Sequence, residues 1–154
     1  MTYLIVKWLH ILSSTFLFGT GIGSAFYLLC ATLQRKPVVV AQIARFVVIA
    51  DWLFTSTSII VQPVTGIYLA HVAGWPLTSK WLLHSIGLYV LATACWLPVI
   101  WLQMRLRDVA NAAAQANQPL PTEYWRYFRI WFALGIPAFF AFVAVFYLMV
   151  VKPA

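Results

Sequence analysis

Acid is nearly absent from this chain. Asp51, Asp108 and Glu123 are its only carboxylates in 154 residues, and charged residues of both signs make up 8%. That is too little charge to solvate the surface of a water-soluble domain of this length. Cysteine is also scarce. Cys30 and Cys95 have no metal or redox spacing, so they read as small core residues, and a disulfide scaffold is excluded. There is no internal repeat and no low-complexity linker, which excludes a solenoid or a tethered pair of domains. The opening MTYLIVKWLH carries no short apolar run ending in a small-x-small cleavage site. It reads as a retained first helix rather than a signal peptide.

Uncharged length is abundant. Trp8–Gln34, Trp52–Ser79, Trp81–Met104 and Ile130–Val151 contain no Asp, Glu, Lys or Arg. A helix rises ~1.5 Å per residue, so each run exceeds the ~20 residues needed to cross hydrocarbon. The expected fold is all-α: a four-transmembrane-helix bundle forming a single integral membrane domain over residues 1–154. Spans are expected at about residues 3–33, 49–72, 79–107 and 122–151. Pro37–Ala50 is expected to be helical from the membrane surface and to run on into span two, and the third helix to continue past its span to Ala116. Thr78 or Ser79 is a candidate cap for span three.

The formal charge of +7 is not a nucleic-acid signal, because the basic residues lie at helix ends and make no basic face. Arg35, Lys36, Arg45, Arg105, Arg107, Arg126 and Arg129 fall to one side, and Lys7, Lys80 and Lys152 to the other. This bias predicts an N-out/C-out topology with the arginine side cytoplasmic, in a bacterial inner membrane. Trp8 and Trp75 are expected at the outer interface, and Tyr124, Trp125 and Tyr127 at the inner one.

Polar groups within the spans need partners or tasks. His10 and His84 lie roughly 7–10 Å inside the outer boundary at ~1.5 Å per residue. Two imidazoles at matched depth on different helices suit the two faces of a haem b. Lys7 and Lys80 stand three and four residues before them, on the same helix faces and one turn nearer water, where propionates would lie. Two other readings stand beside this one: the histidines hydrogen-bond across the bundle, or His10, His84 and His71 together hold copper or zinc.

Span two carries a stripe of Asp51, Thr55, Ser58, Gln62 and Thr65 at steps of four and three. It reads either as a polar packing face or as one wall of a cofactor or quinone pocket, with Gln62 as donor. Pro63 lies in the stripe and cannot donate to the Ile59 carbonyl. Asp51 and Arg129, near the inner ends of their spans, are expected to form a clamping ion pair. Gly19, Gly21, Gly23, Ser24 and Ala25 allow close helix approach, which also permits a homodimer, or leave room for a flat cofactor.

Several short motifs carry a resemblance. They are Lys7-Trp8-Leu9-His10-Ile11, Pro63-Val64-Thr65-Gly66, Gly74-Trp75 with Lys80, Tyr127-Phe128-Arg129-Ile130, and Val151-Lys152-Pro153. Over nearly its whole length the chain resembles a bacterial family of integral membrane proteins, domain of unknown function 2269. It is also distantly similar to the HemJ and CopD-like four-helix proteins. The HemJ resemblance implies haem b at His10, an essential role for Lys80, and protoporphyrinogen oxidation with electrons passed to quinone. The chain departs from that pattern at Phe132–Pro137, which has no carboxylate. The expectation is a haem-b-binding redox protein with Gln62 and Arg129 in supporting roles. The competing expectation is a non-enzymatic membrane subunit, or a CopD-like metal-handling protein without haem.

Overall fold

The computed structural model describes residues 1–153, and all regular structure within them is helical. Four helices are long and apolar enough to span a membrane: α1 (Thr2–Leu33), α2 (Pro37–Val72), α3 (Lys80–Gln115) and α4 (Thr122–Val151). α2 begins with Pro37 in its first turn, where a missing N–H costs nothing, and it runs unbroken to Val72. The expected surface helix and span two are therefore one element. Its only irregularity is one wide turn of π-helix, Asp51–Thr55, in which the Ser56 N–H bonds back to the Asp51 carbonyl.

The connections are short and capped by local backbone geometry. Gly74 takes φ +73° after α2, and the Trp75 N–H closes on the Ala70 carbonyl at 2.9 Å. Asn117 takes φ 52° after α3, and the Gln118 N–H closes on the Ala113 carbonyl at 2.9 Å. Both are left-handed helix stops that satisfy otherwise unpaired carbonyls. Ser79 occupies the N-cap position of α3 but makes no cap bond; its hydroxyl donates to the Pro76 carbonyl at 2.7 Å.

Two hairpins, α1/α2 and α3/α4, make up the bundle. They join chiefly where the first half of α2 packs on α3, while α1 meets α4 only weakly. The main buried cluster lies at the end of the bundle that carries the α1–α2 and α3–α4 links, and includes Leu28, Val40, Leu106 and Tyr124. Tyr124 is not an interfacial anchor as expected. It is fully buried and shares a 2.7 Å hydrogen bond with Thr32, fastening the start of α4 to the end of α1. At the same end, Arg105 reaches Glu123 at 3.6 Å across the α3–α4 link. At the opposite end Lys152 lies over the rings of Trp75 and Trp81, holding the end of α4 to the α2–α3 turn.

The most apolar helix, α4, is also the least buried. Its row of Phe132, Ile136, Phe140, Val143 and Tyr147 is exposed. In water this would be untenable; in hydrocarbon it is the expected surface.

Candidate functional site

Weak contact between α1 and α4 leaves a cleft of about 390 Å³ that draws its walls from all four helices. Its sides are aromatic and small. Phe18 on α1 stacks on Phe139 of α4, and Gly21 and Gly135 face open space, with nothing within 4 Å of where a Cβ would stand. The small residues of α1 therefore do not bring helices together here; Gly21 leaves room. Close approach occurs instead at Gly66, where a Cβ would meet His10 Cε1 at 3.2 Å.

The exposed lining of the cleft is almost wholly apolar, with a few buried polar side chains behind it. Asp51 stands at the head of the π turn, 3% exposed, and its carboxyl accepts the Thr55 hydroxyl at 2.8 Å. Gln103 approaches Asp51 from α3, is itself 3% exposed, and leaves Oε1 without a partner. The indole N–H groups of Trp131 on α4 and Trp96 on α3 are likewise buried and unpartnered. All four residues line the same cleft. Of the buried side-chain atoms without a hydrogen bond among the described residues, only the Trp81 indole nitrogen lies elsewhere. Unpartnered polar atoms in hydrocarbon are costly, and three of them belong to residues that line this one cleft.

The expected Asp51–Arg129 clamp is not formed. Arg129 is exposed and turns back to the Trp125 carbonyl at 3.4 Å, while Asp51 pairs with Thr55. Asp51 is buried against protein part-way along α2.

The polar stripe on α2 is one buried face, but it divides into two functions. Asp51 and Thr55 line the cleft. Gln62 donates Nε2 to the His10 carbonyl at 2.7 Å and to the Ser13 hydroxyl at 2.6 Å, so it binds α2 to α1 and is not part of the cleft wall. The Ile59 carbonyl that Pro63 leaves without a helical donor accepts the Tyr89 hydroxyl at 2.6 Å, tying α2 to α3 beside the cleft.

The histidines occupy different surroundings. His10 is half-buried against α2, with Nδ1 2.7 Å from the Thr65 hydroxyl. That hydroxyl donates to the Val61 carbonyl at 2.6 Å, so it accepts from His10; Nδ1 carries the proton and Nε2 keeps its lone pair. His84 is exposed on α3 and donates Nδ1–H to the Lys80 carbonyl at 2.6 Å, which again leaves Nε2 free. His71, Lys7 and Lys80 are exposed. Neither His10 nor His84 lines the cleft. Among the described residues no three His, Cys, Asp or Glu side chains converge as a metal site, so the three histidines do not form a common donor set.

Sequence reasoning missed Gln103 and the two tryptophans. The signal for Gln103 was present: it is a lone amide in the apolar run of span three, at a depth that an antiparallel neighbour matches with Asp51.

No curated protein and no solved structure matches the chain. A family model does match, over residues 4–153, and the chain belongs to that family of predicted integral membrane proteins, DUF2269.

Proposed function

We propose that this chain binds a lipophilic redox cofactor inside a bacterial cytoplasmic membrane. The observation that carries this reading is the cleft itself. It is walled by aromatic side chains, bordered by two glycines with open space before them, and backed by buried polar atoms without partners. Ligand sites in membrane bundles have this form: an apolar body with a few fixed polar groups. The test is the content of the purified protein. An organic extract of wild type is expected to carry a lipophilic, redox-active molecule near stoichiometric with protein. Gly21→Leu, which fills space that nothing else occupies, is expected to fold and to lose it. A Gly21→Leu protein that keeps its full complement would contradict the assignment to this cleft.

A second reading, haem b on His10 and His84, is favoured by one specific observation. Both rings donate through Nδ1 and keep Nε2 free, the form in which an imidazole ligates iron. Haem would supply one-electron chemistry; Thr65 would orient the His10 ring, and Lys7 and Lys80 would meet the propionates. The cleft does not suit haem, since no His, Cys, Met or Lys lines it. On this reading the reduced protein shows sharp α and β bands that vanish in His10→Ala and in His84→Ala. Protoporphyrinogen oxidation is the catalytic version of the same reading. Colourless protein from haem-replete cells would remove both.

A further inference from the structure

We infer that the cleft is a head-group site for a neutral quinone-class lipid, whose ring lies against Gln103 and Trp131 and whose tail leaves between Gly21 and Gly135. The inference rests on the reading that the cleft binds a lipophilic cofactor, and it names the chemistry of that cofactor.

The polar atoms define the complement. The Trp131 indole N–H is an obligate donor with no acceptor and, like Gln103 Oε1, has no surface open to the cleft, so a ligand ring reaches it only by displacing the adjoining side chains and must then present an acceptor there. Gln103 Oε1 is an acceptor with no donor, so a hydroxyl or an equivalent N–H completes it. Trp96 offers a second unpartnered indole N–H, seven residues and two turns from Gln103 on the same face of α3. A ring carrying carbonyl oxygens, which become hydroxyls on reduction, satisfies both kinds of atom. In the oxidised form its oxygens accept from the indoles; in the reduced form a hydroxyl also donates to Gln103.

Charge excludes the common alternatives. No Lys, Arg or His lines the cleft, and the one carboxyl buried in the bundle is in its lining. A phosphate or fatty carboxylate placed there would face Asp51 with no cation to offset it. The head must be neutral. Its walls favour a flat ring over a glycerol, because Phe18, Phe132, Phe139 and Trp131 present aromatic faces and edges.

The exit is equally specific. α1 and α4 meet weakly, and Gly21 and Gly135, both lining the cleft, have open space where side chains would stand. The adjoining surface of α4 is the row of exposed apolar residues that faces lipid. A tail leaving here passes directly into hydrocarbon, so the ligand reaches its site laterally without crossing water.

The test uses the full chain in phosphatidylcholine nanodiscs, with two probes: a benzoquinone bearing a short alkyl tail, and a monoacylglycerol of matched tail length. Binding is read by titration calorimetry. The quinone is expected to bind saturably, and the monoacylglycerol at least about tenfold more weakly. Gln103→Met, close in shape to the native residue, and Trp131→Phe, which keeps a ring and loses the N–H, are each expected to weaken the quinone about tenfold, the effect of one buried hydrogen bond. Folding of each variant is read from helicity and elution, and either variant alone suffices. Quinone affinity unchanged in both variants, or a monoacylglycerol that binds as tightly, would overturn the head-group assignment. The broader reading fails separately, through Gly21→Leu retaining the extracted cofactor.

Discussion

Asp51 shows why single residues in a membrane must be read by partner and not by position. Its place near the start of an apolar run suggested a boundary carboxyl clamped by Arg129. The structure gives it Thr55 and Gln103 as neighbours and a cleft before it. What remained legible was the periodicity: the steps of four and three correctly predicted a single buried face from Asp51 to Thr65. What was not legible was which half of that face meets protein and which meets the cleft, since this depends on where α1 parts from α4. Pro63 is the counterpart case. Its lost hydrogen bond at Ile59 followed from the sequence alone, but the Tyr89 hydroxyl that replaces it lies on another helix. Tyr89→Phe is expected to destabilise the bundle by about 0.5–2 kcal/mol, the measured range for such bonds in membranes. Reversible unfolding in mixed micelles measures it, and no change would mean that the carbonyl finds another donor. Glycines separate in the same way. Gly66→Ala places a methyl 3.2 Å from His10 Cε1 and is expected to lower thermal stability, whereas Gly21→Ala meets nothing and is expected to be neutral.

At the scale of elements, length and hydropathy were sufficient. Four uncharged runs became four helices, and the expected continuation of Pro37–Ala50 into span two is complete. The π turn at Asp51–Thr55 was not legible, because no residue type in Asp-Trp-Leu-Phe-Thr enforces it. It is a one-residue expansion whose Asp51 and Thr55 are buried while Trp52, Leu53 and Phe54 are exposed, and such turns recur at functional sites. Leu53 lies in this turn and is exposed. Its deletion is expected to return the turn to α geometry and keep both halves of α2 on their present faces. The expected outcome is unchanged helicity with loss of the extracted cofactor, read by circular dichroism and mass spectrometry together. The α2–α3 turn makes a second prediction. Gly74 holds φ +73°, so a β-branched residue there is strained; Gly74→Val is expected to cost about 1–2 kcal/mol of stability.

At the scale of the whole molecule, the apolar surface reports the solvent. The least buried helix is the most apolar, which is the inverse of a water-soluble protein. The charge bias further predicts which side each end faces. Single cysteines introduced near Thr2 and Lys152, in a background lacking Cys30 and Cys95, are expected to react with an impermeant reagent added outside intact cells. A cysteine at Asn117 is expected to react only after lysis; labelling in the reverse pattern would invert the topology. Two hairpins joined at one end and parted along α1 and α4 then account for the cleft as a property of the assembly, invisible in any one helix. The most direct test is a structure of the protein in lipid nanodiscs, purified without added ligand. Continuous density running from the Gln103 and Trp131 side chains out between Gly21 and Gly135 is the predicted result. A cleft closed by α1 packed on α4, or holding only disordered acyl chains that stop short of Gln103, would contradict the account.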